Sequence, residues 1–190
     1  HRRLLSHISQ EIAAAKTGAK TRIVAKVNAL VDEAVIGALY EASQAGVQVD
    51  LIVRGACSLI PGIRGLSDRI RVVSIVDRFL EHSRIYYFQS QKTMYLSSAD
   101  CMPRNFFSRL ELAFPVVAPK IFAFLETVLI PTYLNDNQKA QELTQQATWK
   151  KHPRKATAKT VRTHSVFDAL SSQDYKGTPL KPEPPTAPTK

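Results

Sequence analysis

The chain has 190 residues, of which 44% are hydrophobic and 22% charged, and its formal net charge is +10. This is enough for one domain with a sizeable core and leaves room for an appendage, and the composition reads as that of an ordinary soluble, globular chain. No apolar run approaches the length of a membrane-spanning helix, and the positive charge points to an anionic partner such as a nucleotide or a polyanion.

The first residues, His1-Arg2-Arg3-Leu4, carry neither an initiator Met nor a signal-peptide pattern. They read as the middle of a longer chain. Leu4, Leu5, Ile8 and Ile12 recur at helical spacing over residues 2–16, with Gly18 marking the end. Thr21 to Asn28 alternates as a strand whose polar face carries Lys26 and Asn28. Asp32 is placed to cap a helix running to about Gln44, with Val31 and Ile36 spaced as a hydrophobic staple and Gly46 as its C-cap glycine. Val47 to Arg54 is a second strand. Strand, helix, strand at this spacing predicts a βαβ unit with parallel strands. Ligands of open α/β sheets bind at the carboxyl ends of strands, which is where Arg54 falls.

Gly55 to Leu66 is a turn-rich loop, and Ile70 to Val76 a third strand. Arg84 to Phe88 and Met94 to Ser97 read as a hairpin. Pro103 to Phe107 is a turn or short helix, and Arg109 to Val116 a further strand. An apolar helix starts at Pro119 and runs to about Val128 or Tyr133. Asn135 to Ala147 is polar and helix-compatible.

The composition changes from Thr148. Residues 150–190 hold nine Lys/Arg against three Asp/Glu, while residues 1–149 hold seventeen against thirteen. Most of the positive surplus is therefore in the tail. Six of the eleven prolines lie at 153 or beyond, so 148–190 reads as a basic, Pro-rich, largely disordered tail, with one helical turn at Val166 to Leu170. The expected domain is 1–147. Cys57 and Cys101 form no CxxC and have no ligand-like spacing to histidine. No metal site is expected, and the compartment is expected to be reducing and cytoplasmic.

The chemistry concentrates at Glu81-His82-Ser83-Arg84, where a strand begins, and at Ser97-Ser98-Ala99-Asp100, where the next one ends. His82 and Arg84 are two residues apart and share a face, so a proton-transfer group stands beside a fixed cation. His82-Ser83-Arg84 and Ser97-Ser98-Ala99-Asp100 are similar to the HxK…GSxN pattern of phospholipase D-like phosphotransferases, with Arg in place of Lys. The guanidinium offers phosphate a bidentate fork, so the exchange is chemically reasonable.

A longer series is more specific. It comprises Lys26 to Asp32, Ala42 to Val47, Leu51 to Gly62, Ser74 to Arg84 and Tyr95 to Asn105. In order and spacing these stretches resemble the C-terminal domain of bacterial polyphosphate kinase over roughly residues 1–147. The resemblance implies an α/β, phospholipase D-like mixed sheet flanked by helices. It implies reversible transfer of the γ-phosphate of ATP to inorganic polyphosphate, with Mg²⁺. It also implies a phosphohistidine in a preceding domain that belongs to the missing N-terminal portion of the chain. His82 matches the proton donor or phosphate stabiliser, and Arg54 the nucleotide contact. Arg84, Lys26 and Asn28 are expected to bind nucleotide or phosphate. Glu81, Asp100 and Asn105 are candidates to stand behind His82 or line the cleft. The expected partners are ATP/ADP and polyphosphate, within a homo-oligomer and without nucleic acid; the basic surplus also suits peripheral association with a membrane surface.

The sequence departs from the family at Cys101, where a Trp is usual, and at Phe106-Phe107-Ser108-Arg109, where an acidic and a basic residue are lost and Glu111 is kept. Two alternatives remain at this level. One is a phospholipase D-type phosphodiesterase pairing two copies of His82, and the other a non-catalytic module binding polyanions through the tail.

Overall fold

The computed structural model describes residues 1–151 and 159–175. Its centre is an eight-stranded mixed sheet of order β6-β5-β4-β1-β2-β3-β7-β8. The strands are β1 (Arg22–Val27), β2 (Gln48–Val53), β3 (Ile70–Ile75), β4 (Arg84–Phe88), β5 (Thr93–Ser97), β6 (Ala113–Pro115), β7 (Ala140–Leu143) and β8 (Trp149–Lys151). Among the described strands, only β1–β2 and β2–β3 are parallel pairs. β4 runs antiparallel to β1, with Lys26 opposite Ile85. The carboxyl ends of β1, β2, β3 and β5 therefore meet the start of β4 along one edge of the sheet.

Alternation along the strands sends two apolar sets to opposite faces. Ile23, Ala25, Val27, Val49, Leu51, Tyr86 and Phe88 pack with Ile8, Val35 and Leu39 of helices α1 (Arg2–Lys16) and α2 (Glu33–Gln44). Val24, Ile52, Val73, Ile85 and Tyr87 pack with Leu125, Ile130, Tyr133 and Leu134. This second layer is a continuous helical segment: α4 (Pro119–Phe124), a π-helical turn (Leu125–Leu129) and α5 (Ile130–Leu134). The βαβ unit forms as expected. The Asp32 side chain accepts from Val35 N–H at 3.0 Å and caps α2. A five-residue helix, α3 (Pro103–Phe107), follows β5.

Three stretches differ from expectation. Residues 135–147 do not form a helix; Ala140 to Leu143 instead pair antiparallel with β3, Ile75 opposite Ala140 and Val73 opposite Glu142. A polar segment without strong intrinsic preference takes the hydrogen bonds that a neighbouring strand edge offers. The strand expected over 109–116 shrinks to β6, because Ser98 Oγ meets Leu112 N–H at 2.9 Å where a regular ladder would continue. Beyond Thr148, Trp149–Lys151 pair with β7 as β8, and Thr163–Tyr175 form helix α6. The disorder expected at 152–158 and 176–190 concerns positions outside the described residues. No helix among the described residues is long and apolar enough to cross a membrane.

Candidate functional site: a polar sheet edge and the loop behind it

The sheet edge that gathers the strand ends carries a run of polar side chains, each in contact with the next. Arg54, directly after β2, donates from Nε to Asn28 Oδ1 at 2.6 Å. Asn28, directly after β1, donates from its backbone N–H to Asp100 Oδ1 at 2.6 Å and from Nδ2 at 3.2 Å. Asp100 also accepts from Arg84 Nε at 3.2 Å and Nη2 at 3.0 Å. Arg84 Nη1 then donates to the His82 carbonyl at 2.8 Å and lies 3.1 Å from its Nδ1. Four sequence segments thus become one connected group.

Local backbone explains part of this. Gly55 N–H donates to Asn28 C=O at 2.8 Å. A Cβ at position 55 would stand 2.7 Å from that same oxygen, so only glycine lets the ends of β1 and β2 close together.

The cations differ in what they have left to offer. Arg54 is half-buried, and its Nη groups have no partner among the described residues. Arg84 is committed to Asp100 in a two-point pair, with both side chains about nine-tenths covered. Burial works to raise the Asp100 carboxyl, but Arg84 and the Asn28 N–H outweigh it and hold it below the usual carboxylate range. Lys26 is 4% exposed. Its Nζ contacts Glu81 Oε2 at 3.0 Å, Ser83 C=O at 3.1 Å and Ser83 Oγ at 3.0 Å, which fills its three donors. The Tyr133 ring centroid lies 5.0 Å away. Burial pushes the Lys26 ammonium below its ordinary value, with Glu81 opposing.

Of the carboxylates and amides expected behind His82, Asp100 reaches it through Arg84. Glu81 turns away from His82 and takes Lys26, the Tyr133 hydroxyl at 2.7 Å and His164 Nε2 at 2.8 Å. Burial works to raise the Glu81 carboxyl, yet Lys26, Tyr133 and His164 together bring it below its ordinary value. Asn105 donates to Glu111 at 2.5 Å beside a cavity of about 300 Å³ between α1, β4, β5 and the 105–113 segment. Its Oδ1 is buried without a partner among the described residues. His82 itself is exposed.

Sequence reasoning missed Tyr133, Asp77, Arg162 and His164. Arg162 donates to both Asp77 oxygens at 2.8 and 2.7 Å. A usable signal was present: residues 159–172 contain no proline and carry Val161, Val166, Phe167 and Leu170, unlike the Pro-rich end.

The chain's likeness to known proteins covers this edge. The family model described as "Polyphosphate kinase C-terminal domain 2" matches residues 1–163. The polyphosphate kinase of Burkholderia cenocepacia is 50% identical over 164 residues, which is 85% of this chain and 23% of that protein. That of Xylella fastidiosa is 47% identical over 153 residues, 80% of this chain and 22% of that protein. The crystal structure of the Porphyromonas gingivalis polyphosphate kinase superposes with a TM-score of 0.86 at 36% identity, covering 93% of this chain and 27% of the other. The chain thus spans about a quarter of the length of the relatives it matches. With the family model covering all of the described sheet and the edge just built, the chain belongs to the polyphosphate kinase C-terminal domain 2 family.

Proposed function

We propose that this chain supplies one wall of the phosphoryl-transfer site of a polyphosphate kinase. The observation that carries the reading is the connected run Arg54–Asn28–Asp100–Arg84–His82 at the strand ends, lying wholly within the residues the family model matches. Catalysis of phosphoryl transfer depends mainly on positioning and on cations near the nonbridging oxygens. Arg54, with uncommitted Nη groups on a rigid strand end, is the phosphate or nucleotide contact. Asn28 orients it. His82, exposed and beside Arg84, stabilises the transferring phosphoryl group or gives a proton to the leaving oxygen. Arg84 and Asp100 hold His82, while Lys26 and Glu81 anchor the loop that bears it.

In this reading a histidine nitrogen supplied by a preceding part of the longer protein attacks the γ-phosphorus of ATP. The bond to the β–γ bridging oxygen breaks and ADP leaves. The phosphoryl group then passes to the terminal oxygen of polyphosphate, lengthening it by one unit, and the histidine is free again. Glu81 and Asp100 are each paired with a cation, and no cluster of three or more metal-type side chains occurs among the described residues. The donor set does not fit a resident metal, and Mg²⁺ suits the role of an ion carried by the nucleotide phosphates. Both cysteines are unpaired, which agrees with a reducing, ATP-containing compartment.

The test is a chimera in which this chain replaces the matching segment of the Burkholderia cenocepacia polyphosphate kinase. It should make polyphosphate from ATP. His82→Ala should lower kcat by about 10²-fold or more. A folded chimera whose rate is unchanged by both His82→Ala and Arg54→Ala would overturn the reading.

A further inference from the structure

The loop between β3 and β4, residues 76–83, presents His82 without any helix or strand of its own. Burial does not explain how it is held, because Val76, Phe79 and Leu80 are 71%, 55% and 75% exposed. Its attachments are polar, and several come from one distant segment. Arg162 holds Asp77 through two bonds. His164 Nε2 contacts Glu81 Oε1 at 2.8 Å, and Phe79 N–H meets His164 Nδ1 at 3.1 Å. The His164 and Phe79 rings stack with centroids 5.4 Å apart. Arg78 reaches Asp168 at 3.1 Å on α6.

That segment is itself fixed. Thr163 and His164 are 0% and 3% exposed. Thr163 donates from its backbone N–H to Asp136 at 2.7 Å and from its hydroxyl to Thr132 C=O at 3.2 Å. Val161 and Asn137 exchange two bonds of 3.0 Å. The strap is therefore tied to the end of α5 on one side and to the His82 loop on the other. The two contacts of His164 also set its tautomer. A backbone N–H can only donate, so Nδ1 is the acceptor and the ring proton sits on Nε2, facing the Glu81 carboxylate. One imidazole thus meets a main-chain donor and the Glu81 carboxylate of the loop that bears His82, with Asp77 Oδ2 3.8 Å from its Nδ1.

We infer that residues 161–168 form a strap, and that His164 and Arg162 are positioning residues that keep the 76–83 loop in the conformation presenting His82. This rests on the proposed phosphoryl-transfer function for its catalytic consequence, though not for its structural one. Neither residue belongs to the Arg54–Asn28–Asp100–Arg84–His82 run. Arg54 lies on a different strand end, so loss of the strap should reach turnover through His82 more than nucleotide binding through Arg54.

Two measurements separate the strap from the function. In the 190-residue chain, amide exchange at Phe79 and the ring signals of His82 are followed by NMR for His164→Ala, His164→Gln and Arg162→Ala. In the Burkholderia chimera, kcat and KM for ATP are measured for the same variants. His164→Ala should speed Phe79 exchange at least tenfold and shift the His82 signals. In the chimera it should lower kcat by about tenfold and change KM by less than threefold. His164→Gln should recover most of both effects, because its amide offers an N–H to Glu81 and a C=O to the Phe79 N–H. Arg162→Ala should loosen the same loop. If His164→Ala leaves Phe79 exchange and the His82 signals unchanged, or if a folded His164→Gln behaves no better than His164→Ala, the strap is refuted. An unsubstituted chimera without activity would count against the function alone, since the NMR arm still decides the strap.

Discussion

Lys26 Nζ and Glu81 Oε2 meet 3.0 Å apart beneath the Tyr133 ring, joining the middle of the sheet to the loop that carries His82. Their side chains are 5% and 13% exposed, so the pair has left most of its water. Removing one partner strands the other as a buried charge. Lys26→Met should cost about 3 kcal/mol. The double variant Lys26→Met/Glu81→Leu should be less destabilised than the sum of the two singles, because once one partner is gone the second substitution no longer breaks the pair. Urea unfolding of the four proteins of the cycle checks this. A double variant at least as unstable as the sum of the two singles would rule it out.

Arg54 and Arg84 should separate cleanly. Arg84→Ala leaves Asp100 covered without its cation, and should destabilise by about 3 kcal/mol. Arg54→Ala removes a half-buried side chain with one amide partner, and should change stability by less than about 1 kcal/mol. In the Burkholderia chimera, Arg54→Ala should instead raise KM for ATP about tenfold. Thermal unfolding and steady-state kinetics, taken together, would reject this division if the two variants lost stability equally.

Gly55→Ala places a methyl group 2.7 Å from the Asn28 carbonyl oxygen. Backbone must move, so the variant should lose about 2 kcal/mol. The displacement separates Arg54 from Asn28, and nucleotide binding by the chimera should weaken as well. Full ATP affinity in a folded Gly55→Ala protein would show that this close approach does not place Arg54.

The Asp77–Arg162 pair should make its own acid dependence. The bonds from Arg162 outweigh burial and bring the Asp77 carboxyl down to about 2, whereas an unfolded aspartate titrates at about 3.9. The folded value is the lower one, so the stabilisation is fully present above about pH 4 and is lost as pH falls through about 2. The stability difference between the wild-type chain and Asp77→Asn should be constant at neutral pH and shrink across that window. A difference that held steady down to pH 2 would mean the pair contributes nothing through its charge.

Much of the edge was legible from residue order because it rests on short-range rules. Asp32 caps α2 and Gly46 ends it since caps are local hydrogen-bond and backbone problems. The β1–α2–β2 unit follows from alternation and spacing, and it sends Asn28 and Arg54 to the same end of the sheet. The family stretches added His82; it lies in the loop before β4 and not on a strand face with Arg84, which instead reaches back to the His82 carbonyl and ring.

Partner choice was not legible, because it depends on which chain segments become neighbours. Alternation put Lys26 on the polar face of a strand, but only packing shows Glu81, Ser83 and Tyr133 closing over it. Arg84 has the chemistry of a phosphate fork, yet Asp100, 16 residues away, takes it. Residues 140–143 became a strand since β3 had an open edge to pair with, a fact outside their own sequence. His164 lies 83 residues from Glu81, and charge counting placed it in a tail. Periodicity and turn chemistry determined the β1–α2–β2 unit and its strand ends, and the family resemblance supplied the mixed sheet and the residue types at the edge. The tertiary structure alone decided which cation at this edge is paired with a carboxylate and which is not, since a buried charge takes its nearest opposite charge wherever in the chain it lies.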